Sequence, residues 1–175
     1  QAGERTISIT FDDSTLGDRA VFTGEERTQR LIDALEEAGV EQAMFFVTTG
    51  NVERAEGSDR IRAYTDAGHV LGNHSHSHQW LWKTDTDEYI ADVDKAIDVL
   101  SGFDNVEPFS RFPFLDEGRA LDKRDALRAA LKERGLRNGY VTIDTYDWSL
   151  DSLLQEASKS GVAFEMENVR DLYVD

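Results

Sequence analysis

Three of the chain's four histidines fall within five positions, in the run Asn73-His74-Ser75-His76-Ser77-His78. Imidazole is the commonest metal ligand and changes charge near neutral pH, so the cluster offers metal binding or proton transfer. His74 and His78 are four apart, which on a helical turn places both rings on one face, close enough to share an ion, and sends His76 elsewhere. A second group of interest is the pair Asp12-Asp13, which ends an apolar run. Neighbouring residues leaving a strand point in different directions, so one carboxylate is available to a metal and the other to a proton. Two imidazoles with one carboxylate leave open positions on a divalent ion, as in a catalytic rather than a structural site. Such an ion polarises a carbonyl and lowers the pKa of a bound water to about 7. Zinc suits the ligand set best, with cobalt, nickel and iron also compatible.

Two later segments extend the set. An arginine leaving a strand, as in Arg111-Phe112-Pro113-Phe114, orients a carboxylate by charge-assisted hydrogen bonds. The run Asp144-Thr145-Tyr146-Asp147-Trp148 supplies a carboxylate for that arginine and an aromatic wall. Each feature also has a plainer reading: solvated loop histidines, a turn at an Asp pair, a surface arginine, a core tryptophan. Their convergence has to come from the fold.

The elements that must position them alternate. Arg5–Phe11 reads as a strand delivering the two acids at its end. Thr23-Gly24-Glu25-Glu26 has the form of a capping box, and Leu31, Ile32, Leu35 and Ala38 follow at helical spacing up to Gly39. Ala43–Val47 is the next strand, Ile61 and Tyr64 mark a helix stopping at Gly68, and His69–Gly72 is strand-like. Asp85 and Glu88 start a helix with Ile90, Val93, Ile97 and Leu100 on its apolar side. Pro108–Phe114 reads as a strand, Leu127 and Leu131 as a helix closed by Gly135, Tyr140–Ile143 as a further strand and Leu150–Ala157 as a helix. Alternation of this kind implies parallel strands and an α/β fold, either a barrel or a doubly wound sheet. In both, functional residues lie at the C-terminal ends of the strands.

The 175 residues make a single-domain length. With 35 acids against 19 bases, the net charge of −16 disfavours nucleic acid and anionic membranes as partners. The absence of cysteine excludes disulfides, thiolate metal sites and a cysteine nucleophile. No apolar run approaches the roughly 18 residues of a spanning helix, and the start at Gln1 shows no signal-peptide pattern.

The four segments together resemble the motifs of the polysaccharide deacetylases, carbohydrate esterase family four, or NodB-homology domains. Thr10-Phe11-Asp12-Asp13, His74-Ser75 through His78, Arg111-Phe112-Pro113-Phe114 and Asp144 through Trp148 stand in that family's order. The resemblance implies one catalytic domain over residues 1–175, a distorted (β/α) barrel of fewer than eight parallel strands. It implies that Asp12 is the general base, that Asp13, His74 and His78 hold the metal, and that Arg111 orients Asp12 with support from Asp144. It further implies that Phe114 contributes a backbone N–H for the oxyanion and that Trp148 lines the acetyl pocket. The implied reaction is deacetylation of an acetylated oligo- or polysaccharide, first among them N-acetylglucosamine polymers such as chitin or peptidoglycan. O-acetylated xylan is the alternative substrate, and a non-catalytic metal- or carbohydrate-binding module the alternative function. Such substrates imply an extracellular or periplasmic location. The family's late general-acid histidine has no counterpart, since no histidine follows His78, and the last strand and that acid are expected to lie beyond the residues given.

Overall fold

The computed structural model describes residues 6–54 and 56–174. Five strands, β1 (Thr10–Ser14), β2 (Met44–Val47), β3 (Val70–Asn73), β4 (Val106–Ser110) and β5 (Arg137–Asn138), form one sheet in the order β1-β2-β3-β4-β5. Every neighbouring pair is parallel. The first four are joined by α1 (Gly24–Glu37), α2 (Gly57–Asp66) and α3 (Thr86–Leu100), and β4 leads to β5 through α4 (Leu121–Glu133). After β5 come α5 (Asp147–Lys159) and α6 (Met166–Val174). Strand order following chain order is the winding of a barrel wall, whereas a doubly wound sheet reverses direction at a switch point.

The curvature is visible in one side chain. Flat sheets space strands by about 4.8 Å, which would put β1 about 14 Å from β4. Arg111, the first residue after β4, nevertheless donates to Thr10 Oγ1 at 2.9 Å and to Asp12 Oδ1 at 2.6 Å on β1. The sheet therefore coils.

Two helix starts are set by local chemistry. Thr23 closes a reciprocal capping box with Glu26 at the head of α1, and Asp85 accepts from the Asp87 and Glu88 N–H groups at the head of α3. The helices cover one face of the sheet. Phe45 and Leu71 pack there with Leu35, Ile61, Tyr64 and Leu100. A second cluster holds Leu81, Tyr89, Val93, Phe112, Leu127 and Leu131 between α3 and α4. Phe46 alternates to the opposite, inner face, where its ring lies 4.0 Å from the Arg111 guanidinium.

Three strands differ from the sequence reading by more than one residue. β1 begins at Thr10 and includes both acids, because Thr10 is the first residue in register with a partner, Met44; Arg5 lies outside the described residues and 6–9 are not strand. β4 ends at Ser110, and Pro113–Leu115 forms a 3₁₀ turn. The strand expected at Tyr140–Ile143 is absent; β5 is the two-residue segment before it.

Phe46 explains two glycines. A Cβ on Gly72 would stand 2.7 Å from the Phe46 ring, and one on Gly139 would stand 2.5 Å from it. Gly72→Ala is expected to destabilise by about 1–3 kcal/mol through overpacking and to tilt the ring under Arg111. Urea unfolding checks this; an unchanged midpoint would show that the inner face has room to relax.

Candidate metal and catalytic site

Asp13, near the end of β1, has φ 56°, and its Oδ1 accepts from Thr48 Oγ1 at 3.3 Å. The same oxygen lies 2.8 Å from His78 Nε2 and 3.6 Å from His74 Nε2. One ligand atom from each of these three residues falls within 4.8 Å of the others. The convergence predicted from the histidine spacing is present, but its cause is different. Residues 74–78 form no helical turn; they are a loop after β3, in which Ser75 and His78 take positive φ values of 64° and 55°.

The donor chemistry fits a divalent ion. His74 Nδ1 lies 2.9 Å from the Arg111 carbonyl, and a carbonyl only accepts, so Nδ1 carries the proton and Nε2 presents its lone pair towards Asp13 and His78. His74 is almost fully buried, and burial pushes its pKa below the usual imidazole value despite the Asp12 and Asp13 carboxylates nearby. Burial pushes Asp13 up, but the hydrogen bond and charge of His78, with the charge of His74 and the Thr48 hydroxyl, outweigh it and hold the carboxyl below its ordinary value. A neutral imidazole and an ionised carboxylate are the forms a metal requires.

Asp12 is held apart from this cluster. Its Oδ1 accepts from Arg111, while its Oδ2 lies 3.9 Å from His74 Nε2. Arg111 is 4% exposed; its Nε donates to the Gly139 carbonyl at 2.8 Å and its Nη1 also to Thr10. The expected contact between Asp144 and Arg111 is therefore not formed: Gly139 takes that position, and Asp144 is exposed, accepting from the Tyr146 N–H. Trp148 is 61% exposed on α5 and touches Tyr146 rather than the Asp13, His74 and His78 cluster. Both residues were placed at the rim by a strand at Tyr140–Ile143 that is not there.

Phe114 is at the site. Its backbone has φ 58°, and its ring meets the edge of His78 at 4.5 Å and stacks on Trp80 at 3.8 Å. Asp13, Ser75, His78 and Phe114 account for four of the eight non-glycine residues with positive φ among the described residues. Such conformations cost about 1–3 kcal/mol each and concentrate where geometry has a task. A cavity of about 610 Å³ opens beside Asp13 and His78 and is walled by Thr48, Asn51, Arg54 and His76. Its size is that of a ligand cleft. Thr48, Asn51, Arg54 and Trp80 were not singled out in the sequence, because no spacing rule ties them to the histidines.

Residues 1–139 match the family model described as polysaccharide deacetylase. The peptidoglycan-N-acetylglucosamine deacetylase of Bacillus cereus is 29% identical over 143 residues, covering 81% of this chain and 46% of that protein. The chain spans about half the length, or slightly less, of the curated relatives it matches. Among solved structures, the family 4 carbohydrate esterase from Streptomyces lividans in complex with acetate superposes with a TM-score of 0.64 at 23% identity, covering 82% of this chain and 66% of the other. A CE4 family pseudoenzyme from Bacillus anthracis superposes with a TM-score of 0.64 at 21% identity, covering 87% of this chain and 50% of its own. Both likenesses concern the fold.

Titration with zinc or cobalt is expected to show one ion per chain. Asp13→Ala and His78→Ala should each weaken it by more than the roughly 10–100-fold typical of a lost supporting group. Affinity should fall on acidification, since protons compete for the imidazoles. Unaltered affinity in both variants would place the ion elsewhere.

Proposed function

Because the chain belongs to the polysaccharide deacetylase family, we propose that it hydrolyses acetyl groups from carbohydrate, with one divalent metal held by Asp13, His74 and His78. The observation that carries this reading is the juxtaposition of that three-ligand cluster with a separate, arginine-bound carboxylate, Asp12, whose second oxygen faces it. Zinc is the metal proposed first, with cobalt, nickel and iron sharing the ligand preference. When bound, the ion supplies Lewis acidity to the acetyl carbonyl and to water.

The chain's own residues do the rest. Arg111 holds Asp12 through Oδ1, leaving Oδ2 to accept a proton from the attacking water. The Arg111 carbonyl keeps the His74 proton on Nδ1, so the ring cannot turn its lone pair away. Phe114, whose left-handed backbone sets the direction of its N–H, is proposed to donate to the oxygen that becomes negative in the tetrahedral intermediate. The Phe114 and Trp80 rings form an apolar wall beside His78, on which a sugar or acetyl methyl can rest. Asp144 and Trp148 enter this reading only if a rearrangement after β5 brings them to the rim, and the steps above do not depend on them.

N-acetylglucosamine polymers, as in peptidoglycan or chitin, are the substrates we propose, with O-acetylated xylan the alternative. The similarity to a peptidoglycan-N-acetylglucosamine deacetylase supports the first. A location outside the cytoplasm, where such polymers lie, is part of the same proposal. A non-catalytic module that binds metal or carbohydrate is a second reading, since these 175 residues supply no histidine after His78 to act as the acid.

Acetate release from acetylated chito-oligosaccharides with added zinc or cobalt, against a chelated control, separates the two. Metal-dependent release supports the enzyme; stoichiometric metal binding with no release supports the module. Given release, Asp12→Asn should keep the metal and lower turnover by about 10²–10⁴-fold. Arg111→Ala should lower rate more than metal affinity. Metal loss in Asp12→Asn would contradict the division of roles between the two acids.

A further inference from the structure

The two histidine ligands are positioned by different means. His74 directly follows β3; its N–H donates to the Val47 carbonyl at 3.1 Å and its ring to Arg111, so the sheet sets its place. His78 comes four residues later, at the end of a loop with two left-handed residues. On the carbonyl side this loop is held by backbone alone: Ser75 and His76 accept from the Thr49 and Gly50 N–H groups at 3.1 and 2.9 Å. On the N–H side, two consecutive amides converge on one side chain. Asp92 Oδ2 accepts from the His76 N–H at 2.8 Å and the Ser77 N–H at 3.0 Å, and Asp92 Oδ1 accepts from the Ser77 hydroxyl.

Asp92 is well placed to transmit position. It lies mid-way along α3, whose first turn is capped by Asp85, and the next residue, Val93, accepts from Asn73 Nδ2 at 3.1 Å at the end of β3. Asn73 Oδ1 in turn accepts from the Ser75 N–H at 2.8 Å, and Ser75 Oγ accepts from the His78 N–H at 3.1 Å. The consecutive N–H groups of residues 75–78 thus all have partners, and Asp92 is the charged one among them. A carboxylate accepting several N–H and O–H bonds forms the stronger, charge-assisted kind. No sequence motif points to it, since Asp92 is fourteen positions from His78.

We infer that Asp92 is a positioning residue for the metal site: it fixes the turn at His76–Ser77 and thereby aims His78 Nε2 at Asp13. The inference rests on the reading that Asp13, His74 and His78 hold a metal. Without Asp92, the Ser77 hydroxyl and two amides turn to water, the left-handed conformation at His78 loses its support, and the third ligand is no longer preorganised.

The test compares zinc affinity, by competition with a chelator, and the thermal midpoint of the metal-free protein in Asp92→Ala, Asp92→Asn, Ser77→Ala and Asp98→Asn. Asp92→Ala is expected to weaken zinc about 10–100-fold. Asp92→Asn should recover part of the loss, because its amide oxygen still accepts. Ser77→Ala should show a smaller loss in the same direction. Asp98→Asn, exposed on the same helix, should match the unaltered protein. A lowered metal-free midpoint with undiminished zinc affinity would mean that Asp92 only stabilises the fold, and overturns the inference. If Asp92→Ala does not fold, undiminished affinity in both Asp92→Asn and Ser77→Ala overturns it equally. Asp13→Ala run alongside separates the failures: zinc loss there but not in the Asp92 variants overturns the Asp92 role alone, whereas no loss in either overturns the metal-site reading and the Asp92 role with it.

Discussion

Burying the Arg111 guanidinium is the constraint on which the other features depend. An arginine at 4% exposure cannot discard its charge, so it must be surrounded by acceptors or cost several kcal/mol. The acceptors come from distant parts of the chain: Thr10 and Asp12 on β1, and the Gly139 carbonyl just after β5. Its flat face rests on Phe46 from β2. Satisfying one cation therefore forces the first and last strands towards each other and fixes the coil of the sheet. It also explains why Gly72 and Gly139 lack side chains, since both crowd the ring beneath the cation.

The adjacent acids illustrate how a fold separates tasks between identical side chains. In a regular strand Asp12 and Asp13 would point to opposite faces, and only one would reach the inner rim. The left-handed φ of 56° at Asp13 breaks the alternation, so that Asp12 Oδ2 and Asp13 Oδ1 lie 3.9 and 3.6 Å from the same His74 nitrogen. Arg111 then takes Asp12, and His78 and Thr48 take Asp13. Their different partners, rather than any difference in residue type, make one a proton acceptor and the other a metal ligand in the proposed reaction.

Much of this was legible in the sequence where the signal is local. The helix heads at Thr23 and Asp85 follow from side chains bonding their own backbone, which needs no tertiary context. Strand limits were less legible because register, not propensity, sets them: residues 6–9 are as β-prone as Thr10–Ser14, yet β2 begins opposite Thr10. The convergence of Asp13, His74 and His78 was expected for a partly wrong reason, since four-residue spacing was read through helix geometry while a strained loop does the work. Asp144 and Trp148 were misplaced through an expected strand at Tyr140–Ile143, and among the described residues α5 and α6 bury nothing to anchor that region. Asp92 was invisible for the opposite reason: two of its three bonds come from backbone N–H groups, which every residue but proline carries, so no residue pattern records them.

Arg111 also joins the two halves of the site through different parts of one residue. Its side chain orients the carboxylate proposed to accept the proton, and its carbonyl fixes the tautomer of a histidine proposed to hold the metal. The two bonds are geometrically linked, because the backbone at Arg111 is itself pinned by its N–H donating to the Asn73 carbonyl at 2.9 Å, one residue before His74. A displacement of β4 relative to β3 would therefore disturb the proposed proton acceptor and the proposed metal ligand together. Preorganisation here is a property of the sheet: parallel strands carry Asp12, Asp13, His74 and Arg111 at their ends, and the loops beyond need only supply His78 and the wall of the cleft.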